Sequence, residues 1–175
     1  NNWSRGCSPG TRVLYNNTRR KGFRVYRVVG VVARNGGRNP LLIRSKKKDF
    51  ELLNSDCIFT DDTVMTVAVA DSIMNEVPYV ESLQKWGRKY PRAGYGSWFR
   101  KWIHQDDPKP YNSFGNGSAM RCSSVGWLFD DEDSVLAEAK KSAEITHNHP
   151  EGIKGAQSIA LGILMGRKGS TKKEI

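Results

Sequence analysis

The feature that most constrains the fold of this 175-residue chain is an apolar run over residues 64–70, which follows two acidic residues and a threonine. A helix over residues 63–75 would be apolar on nearly every face, and such a helix is stable in water only when other elements bury it. A chain of this length can form one domain with a substantial core. The run therefore predicts a helical domain that packs around this segment.

Further along the chain, apolar residues recur at helical spacing, and the segments that carry them are separated by breaks rich in glycine and proline. These segments cover residues 79–89, 97–105, about 118–128, 130–146 and 150–164. No hairpin signal interrupts them. The predicted fold class is therefore all-α.

The charge is distributed unevenly. Residues 1–48 contain 13 lysines and arginines and no acidic residue, whereas the remainder has a net charge of −3 within a total of +10. This asymmetry predicts a basic, poorly structured leader over residues 1–44 and a helical domain over residues 45–175. A basic arm of this kind could contact nucleic acid. The leader lacks aromatic interleaving and any nucleic-acid motif, so nucleic acid is a less favoured partner.

The cysteines and the hydropathy limit the compartment. Cys7, Cys57 and Cys122 are odd in number, widely spaced and form no CxxC pair. This pattern argues against a disulfide framework or a structural zinc site and favours a reducing cytoplasm. No apolar run approaches the length of a membrane span, so a membrane partner is not expected.

The first stretch that could carry chemistry is Thr60-Asp61-Asp62-Thr63, at the start of the apolar segment. Adjacent carboxylates repel each other, and a hard cation such as Mg²⁺, which prefers carboxylate and hydroxyl oxygens, would compensate that repulsion. The alternative is that the acids serve only the helix, because its positive end favours negative charge. The stretch alone does not decide between a metal site and a helix start.

The second stretch is Gly115-Asn116-Gly117-Ser118, just before a predicted helix. Glycines and small residues there allow backbone N–H groups to approach an anion. Arg121, one turn later, would reach a phosphate or form a structural ion pair. A tight turn without a ligand remains the alternative.

The third stretch, Thr146 to Gly152, is a polar loop that contains His147 and His149. Two histidines two residues apart on an extended loop point in opposite directions, so they would not readily share one metal ion. One histidine facing a substrate is one interpretation, and two solvent-exposed histidines is the other.

Together and in this order, the three stretches resemble the ADP-ribosylglycohydrolase family. They are most similar to the bacterial branch that includes the dinitrogenase reductase-activating glycohydrolase, over about residues 45–164. The resemblance implies an all-α hydrolase with two Mg²⁺ ions (Mn²⁺ is possible) that removes ADP-ribose from modified proteins or small molecules. The implied partner is therefore ADP-ribose or an ADP-ribosylated protein.

The resemblance also implies roles for individual residues. Thr60, Asp61 and Asp62 would be metal ligands, and Asp61 and Asp62 would also be the catalytic carboxylates. The residues expected to bind substrate are Gly115, Asn116, Gly117, Ser118, Met120, Arg121 and His147. His149 is a weaker candidate.

Two family motifs are not found in the sequence. No acidic residue precedes Asp49, so the family's early Gly-Asp motif and its glutamate have no counterpart, and no Asp-x-Asp-Thr motif follows His147. We therefore expect a partial family domain with weakened metal binding and a leader that is frame-shifted or chimeric. The alternatives are a module that binds ADP-ribose without hydrolysing it and a degenerate fragment.

Overall fold

The computed structural model describes residues 59–175 and, before them, only the backbone of two short strands. Strand β1 (Trp3–Ser4) pairs antiparallel with strand β2 (Tyr15–Asn16), and Trp3 lies opposite Asn16. The other residues of the predicted leader, and the predicted boundary between residues 44 and 45, lie outside the described residues. Both stay predictions.

The chain divides into two compact units, Asn1–Thr60 and Asp61–Ile175. The second unit is fully described, and its regular secondary structure is entirely helical. Its helices are α1 (Asp61–Asn75), α2 (Tyr79–Lys89), α3 (Ser97–Trp102), α4 (Ser123–Leu128), α5 (Glu132–Glu144) and α6 (Pro150–Arg167). The all-α prediction is confirmed for this part of the chain.

Helix α1 is buried as its composition requires. Met65, Ala68 and Val69 are fully buried within the core. The buried hydroxyl of Ser82, on α2, donates to the carbonyl of Ala68 at 2.7 Å. The apolar run thus supplies the helix against which α2 and α4 pack.

Helices α4 and α6 approach each other closely because Gly126 has no side chain. A Cβ atom at Gly126 would stand 2.4 Å from the carbonyl oxygen of Ala160. Ala156 and Ala160, on α6, are fully buried. The close approach thus requires a glycine on α4 as well as small residues on α6.

Helix α5 begins where the sequence places its acidic residues. The side chain of Asp131, at the N-cap, accepts a hydrogen bond from the backbone N–H of Ser134 at 2.8 Å. This bond lowers the pKa of the Asp131 carboxyl.

Among the described helices, none is both long enough and apolar enough to cross a membrane.

Candidate active site

A cavity of about 290 Å³ opens between the start of α1, the start of α3 and the segments before α4 and α6. Its wall combines acidic, aromatic, glycine and basic residues from four separate parts of the chain. The lining residues are Asp61, Met65, Gly96, Ser97, Trp98, Phe99, Tyr111, Ser113, Gly115, Asn116, Gly117, Met120, Arg121 and His147.

At one end of the cavity, the wall is formed by the first turn of α1, which carries carboxylates. Asp61 lines the cavity, and its backbone N–H donates to the carbonyl of Ala93 at 2.7 Å. Neither Thr60 nor Asp62 lines the cavity. Successive residues of a helix point about 100° apart, so the side chain of Asp62 leaves the helix in a different direction from that of Asp61.

The two acids begin the helix, and Asp61 also lines the cavity. Helix α1 starts at Asp61, so Asp61 and Asp62 occupy its first turn, where the helix dipole favours negative charge. A place at the helix start and a place in the cavity wall are therefore compatible for Asp61.

The side-chain oxygens at this end of the cavity are of the type that a hard cation binds. Thr60, Asp61 and Asp62 offer hydroxyl and carboxylate oxygens in consecutive positions, the donor types that Mg²⁺ prefers. Over residues 59–175, however, no group of three or more His, Cys, Asp or Glu side chains is arranged to hold a metal ion. The described residues thus supply donors from one segment only.

The glycine stretch forms turns instead of leading directly into a helix. Consecutive turns run from Asn116 to Cys122, and the N–H of Met120 donates to the carbonyl of Asn116 at 2.9 Å. Helix α4 begins only at Ser123. The prediction of a helix from about residue 118 was therefore wrong, and any anion here would meet the N–H groups of turns.

Buried side chains tie these turns to neighbouring elements. The hydroxyl of Ser118 donates to the carbonyl of Gly152 at 2.7 Å. The hydroxyl of Thr66, on α1, lies 2.7 Å from the carbonyl oxygen of Asp62 and 3.2 Å from that of Met120. Ser118 is fully buried and lies outside the cavity wall, so its observed contact is structural.

Gly117 and His147 lie in close contact. A Cβ atom at Gly117 would stand 2.8 Å from both Cε1 and Nε2 of the imidazole. The backbone of Gly117 does not adopt the left-handed conformation. The ring of His147 therefore requires a glycine at position 117.

Arg121 lies deep in the wall, with 1% of its surface exposed. Its Nη2 donates to the carbonyl of Ser142 at 2.5 Å and to Oγ1 of Thr146 at 2.9 Å, and its Nε has no hydrogen-bond partner among the described residues. No carboxylate of residues 59–175 forms an ion pair with it. Burial lowers the pKa of Arg121 to about 10. A buried cation that lacks a counter-charge among the described residues favours an anionic ligand nearby.

His147 is buried beside this cation, with 5% of its surface exposed. Its Nδ1 lies 2.7 Å from Oγ1 of Thr146, and the ring of Tyr111 lies against it at 5.9 Å between centroids. Burial, followed by the positive charge of Arg121, lowers the pKa of His147 to about 4. The imidazole is therefore neutral at physiological pH.

His149 has a different position from His147. It is the N-cap residue of α6, and its Nδ1 accepts from the backbone N–H of Glu151 at 3.1 Å. Between the two histidines, the side-chain oxygen of Asn148 accepts from the N–H of Asn112 at 2.8 Å. His149 does not line the cavity, and its observed hydrogen bond supports the start of α6.

Several lining residues were not predicted from the sequence. Trp98 is 69% exposed and stacks on Tyr111 with ring centroids 6.3 Å apart and planes at 20°. Trp98 precedes Trp102 by about one helical turn, a spacing that favours a shared face, but only Trp102 is buried. Tyr111 lies in a proline-rich loop without periodicity, so no pattern marked it. The sequence signal available for Trp98 was an aromatic residue at the start of a predicted helix.

Cys122 is not suited to be a nucleophile. It is fully buried, and its Sγ lies 3.1 Å from the carbonyl oxygen of Ala119 and 3.2 Å from that of Ala156. Burial raises the pKa of this free thiol to about 11. A buried thiol with a raised pKa contains little of the reactive thiolate form.

Sequence comparison identifies the family. A sequence model described as ADP-ribosylglycohydrolase matches residues 21–174. The chain belongs to the ADP-ribosylglycohydrolase family. The match begins at residue 21, within the predicted leader, so family similarity extends further toward the N-terminus than the three motifs indicated.

Curated relatives of this ADP-ribosylglycohydrolase family member carry the name ADP-ribosylhydrolase ARH3. The proteins of Gallus gallus and Homo sapiens are each 29% identical and that of Bos taurus is 30% identical, in each case over 66% of this chain and 37% of the relative. The chain thus spans about a third of the length of these relatives. The assignment to a bacterial branch stays a prediction.

Proposed function

We propose that this chain binds the ADP-ribose part of a modified protein or small molecule and takes part in its Mg²⁺-dependent hydrolysis. The observation that carries the proposal is the meeting, in one cavity, of the Asp61 carboxylate, the turns at Gly115–Gly117 and the buried Arg121 and His147. The name ADP-ribosylhydrolase that the relatives carry supports the same activity.

The charges of the cavity match the parts of such a ligand. The guanidinium of Arg121 lacks a carboxylate partner among the described residues, so a diphosphate held near the turns would offset its buried charge. The turn N–H groups would donate to the phosphate oxygens. The cavity volume, about 290 Å³, lies just below the usual range for ligand sites, which begins at roughly 300 Å³.

At the other end, Asp61 would face the ribose that is released. Hydrolysis breaks the bond between the anomeric carbon and the linked side chain, whose heteroatom leaves with the electron pair and gains a proton. The oxygen of water bonds to the anomeric carbon and loses a proton. An oxocarbenium-like state forms along this path, and the Asp61 carboxylate would stabilise its positive charge.

Thr60, Asp61 and Asp62 are the residues that would hold Mg²⁺. Bound there, the cation would act as a Lewis acid and orient the ribose hydroxyls. His147, neutral and buried, would contribute a hydrogen bond to the ligand without adding a second charge beside Arg121.

A reducing, cytoplasmic location, which the cysteine pattern favours, is part of the same proposal.

Calorimetric titration with ADP-ribose, with Mg²⁺ or with EDTA, tests the binding step. We expect binding in both conditions and tighter binding with Mg²⁺. Asp61→Asn should reduce the effect of Mg²⁺. Asp133→Asn, which removes an exposed acid from the first turn of α5, should leave both titrations unchanged. The absence of binding in both conditions would contradict the proposal.

Turnover is tested separately, with peptides ADP-ribosylated on serine or arginine. Release of ADP-ribose that depends on Mg²⁺ and on Asp61 supports the hydrolase. Binding without release supports the alternative, a module that binds ADP-ribose and lacks the chemistry. Nucleic-acid binding through the leader concerns residues outside the described part and stays a less favoured prediction.

A further inference from the structure

Three buried side chains form a chain of hydrogen bonds that ends at the cavity. Nη2 of Arg121 lies 2.9 Å from Oγ1 of Thr146, and Oγ1 of Thr146 lies 2.7 Å from Nδ1 of His147. Thr146 is fully buried, and Arg121 and His147 expose 1% and 5% of their surfaces. Water therefore has little access to this network.

The number of protons available on each group determines which atom donates and which accepts in this network. A guanidinium has only donors, so the Thr146 oxygen accepts from Arg121. The Thr146 hydroxyl then has one proton to donate, and the acceptor found within reach in the described residues is Nδ1 of His147. The reverse direction, from Nδ1–H to the oxygen, would leave the hydroxyl proton buried without an acceptor, which is costly.

Nε2, on the other side of the ring from Nδ1, lies next to two glycines that line the cavity. Nε2 lies against Gly117, where a Cβ atom would stand only 2.8 Å away, and 3.9 Å from the corresponding point at Gly115. His147 itself lines the cavity. If Nδ1 accepts, the proton of a neutral imidazole is on Nε2.

We propose that Thr146 is a positioning residue that, together with Arg121, fixes His147 in the Nε2–H tautomer, so that the ring presents a hydrogen-bond donor to the ligand. The low pKa caused by burial and by the charge of Arg121 keeps the ring in its neutral form. The use of this donor toward ADP-ribose rests on the proposed function. The tautomer itself does not, because it follows from the internal network.

The tautomer is measured by long-range proton–nitrogen NMR correlation of the imidazoles near pH 7, without ligand. The signals of His147 are assigned by their loss in His147→Gln. We expect Nε2 to be protonated and Nδ1 not to be. Protonation at Nδ1, or two tautomers in similar amounts, would overturn the proposal in the unmodified protein alone.

Two substitutions at position 146 separate positioning from packing. Thr146→Ser keeps the hydroxyl and should keep the Nε2–H tautomer. Thr146→Val keeps the shape and loses the hydroxyl, so we expect a mixture of tautomers and ADP-ribose affinity reduced by about tenfold, the size of one lost hydrogen bond. An unchanged tautomer in Thr146→Val would overturn the positioning role.

The outcomes also distinguish this inference from the proposed function. If the unmodified protein has the Nε2–H tautomer but does not bind ADP-ribose, the positioning role stands and the proposed function fails. If ADP-ribose binds while the tautomer is Nδ1–H, the positioning role fails and the proposed function stands. If Thr146→Val does not fold, the spectra of the unmodified protein and Thr146→Ser still decide the tautomer.

Discussion

The ring of His147 lies against the backbone of Gly117, where a side-chain carbon would stand 2.8 Å from its Nε2 and Cε1 atoms. The neighbouring Gly115 has more space, with Oγ of Ser113 at 3.4 Å and the imidazole at 3.9 Å from its Cβ position. Neither glycine has a left-handed backbone. For a substitution by alanine, the two glycines therefore differ in what the added methyl group would meet.

This difference gives a prediction for the single residue. Gly117→Ala should displace the imidazole, so we expect changed His147 ring signals in NMR, a destabilisation of roughly 1–2 kcal/mol and weaker ADP-ribose binding. Gly115→Ala serves as the structural control, since it should leave the His147 ring signals in place. Equal changes in both variants would show that the close contact at Gly117 does not hold the ring.

At the scale of elements, helix patterns were most predictive where one face is apolar and the other is charged. Helix α2 begins and ends at the predicted residues, Tyr79 and Lys89, because its polarity alternates at the helical period. Helix α4 was predicted about five residues too long. Its early residues form turns whose side chains, Ser118 and Arg121, bond to α5, α6 and the loop between them, and no local pattern encodes such distant partners.

The crossing of α4 and α6 gives a prediction at this scale. Gly126→Ala would place a methyl group 2.4 Å from the Ala160 carbonyl and under 3 Å from the Ile163 side chain, so the helices must separate. We expect a loss of roughly 1–3 kcal/mol in the free energy of unfolding, measured with urea.

A glycine on α6 serves as the matched control for this crossing. A methyl group at Gly155 would have its closest contact, Cβ of Ala119, at 3.8 Å. Gly155→Ala should therefore be neutral or stabilise the protein by up to about 1 kcal/mol through helix propensity. A Gly126→Ala variant as stable as Gly155→Ala would contradict the close crossing.

At the scale of the whole molecule, four segments far apart in sequence form the wall of one cavity. The loop that carries Tyr111 is held by bonds to residues 146 and 148, and the first turn of α1 is held by the carbonyl of Ala93. Folding of the entire second unit is thus required before Asp61, Arg121 and His147 share a space. The burial of His147 then links the site to the stability of the unit.

The pH dependence of unfolding tests this link. The pKa of His147 is about 4 in the folded protein, against 6.5 for an unperturbed histidine. The unfolded chain therefore binds a proton as the pH falls below about 6.5, while the folded protein stays neutral until about pH 4. Stability from this group is complete above pH 6.5 and is lost as the pH falls toward 4, by at most roughly 3 kcal/mol.

The measurement is urea unfolding between pH 7 and pH 4 for the unmodified protein and for His147→Gln. Taking the difference removes the contribution of the carboxylates, which also titrate in this range. We expect the stability advantage of the unmodified protein to shrink as the pH falls. A difference that is constant with pH would mean that His147 is not buried as a neutral group.

The sequence by itself determined the all-α class, most helix positions and the family, because helical periodicity is local and the three motifs keep their order along the chain. It also marked Asp61, Gly115, Gly117 and His147 as site candidates. Only the tertiary structure placed Asp61 in the cavity and Asp62 outside it, added Trp98 and Tyr111, and connected Arg121 to His147 through Thr146. These facts depend on side-chain direction and on contacts between distant segments, which packing decides.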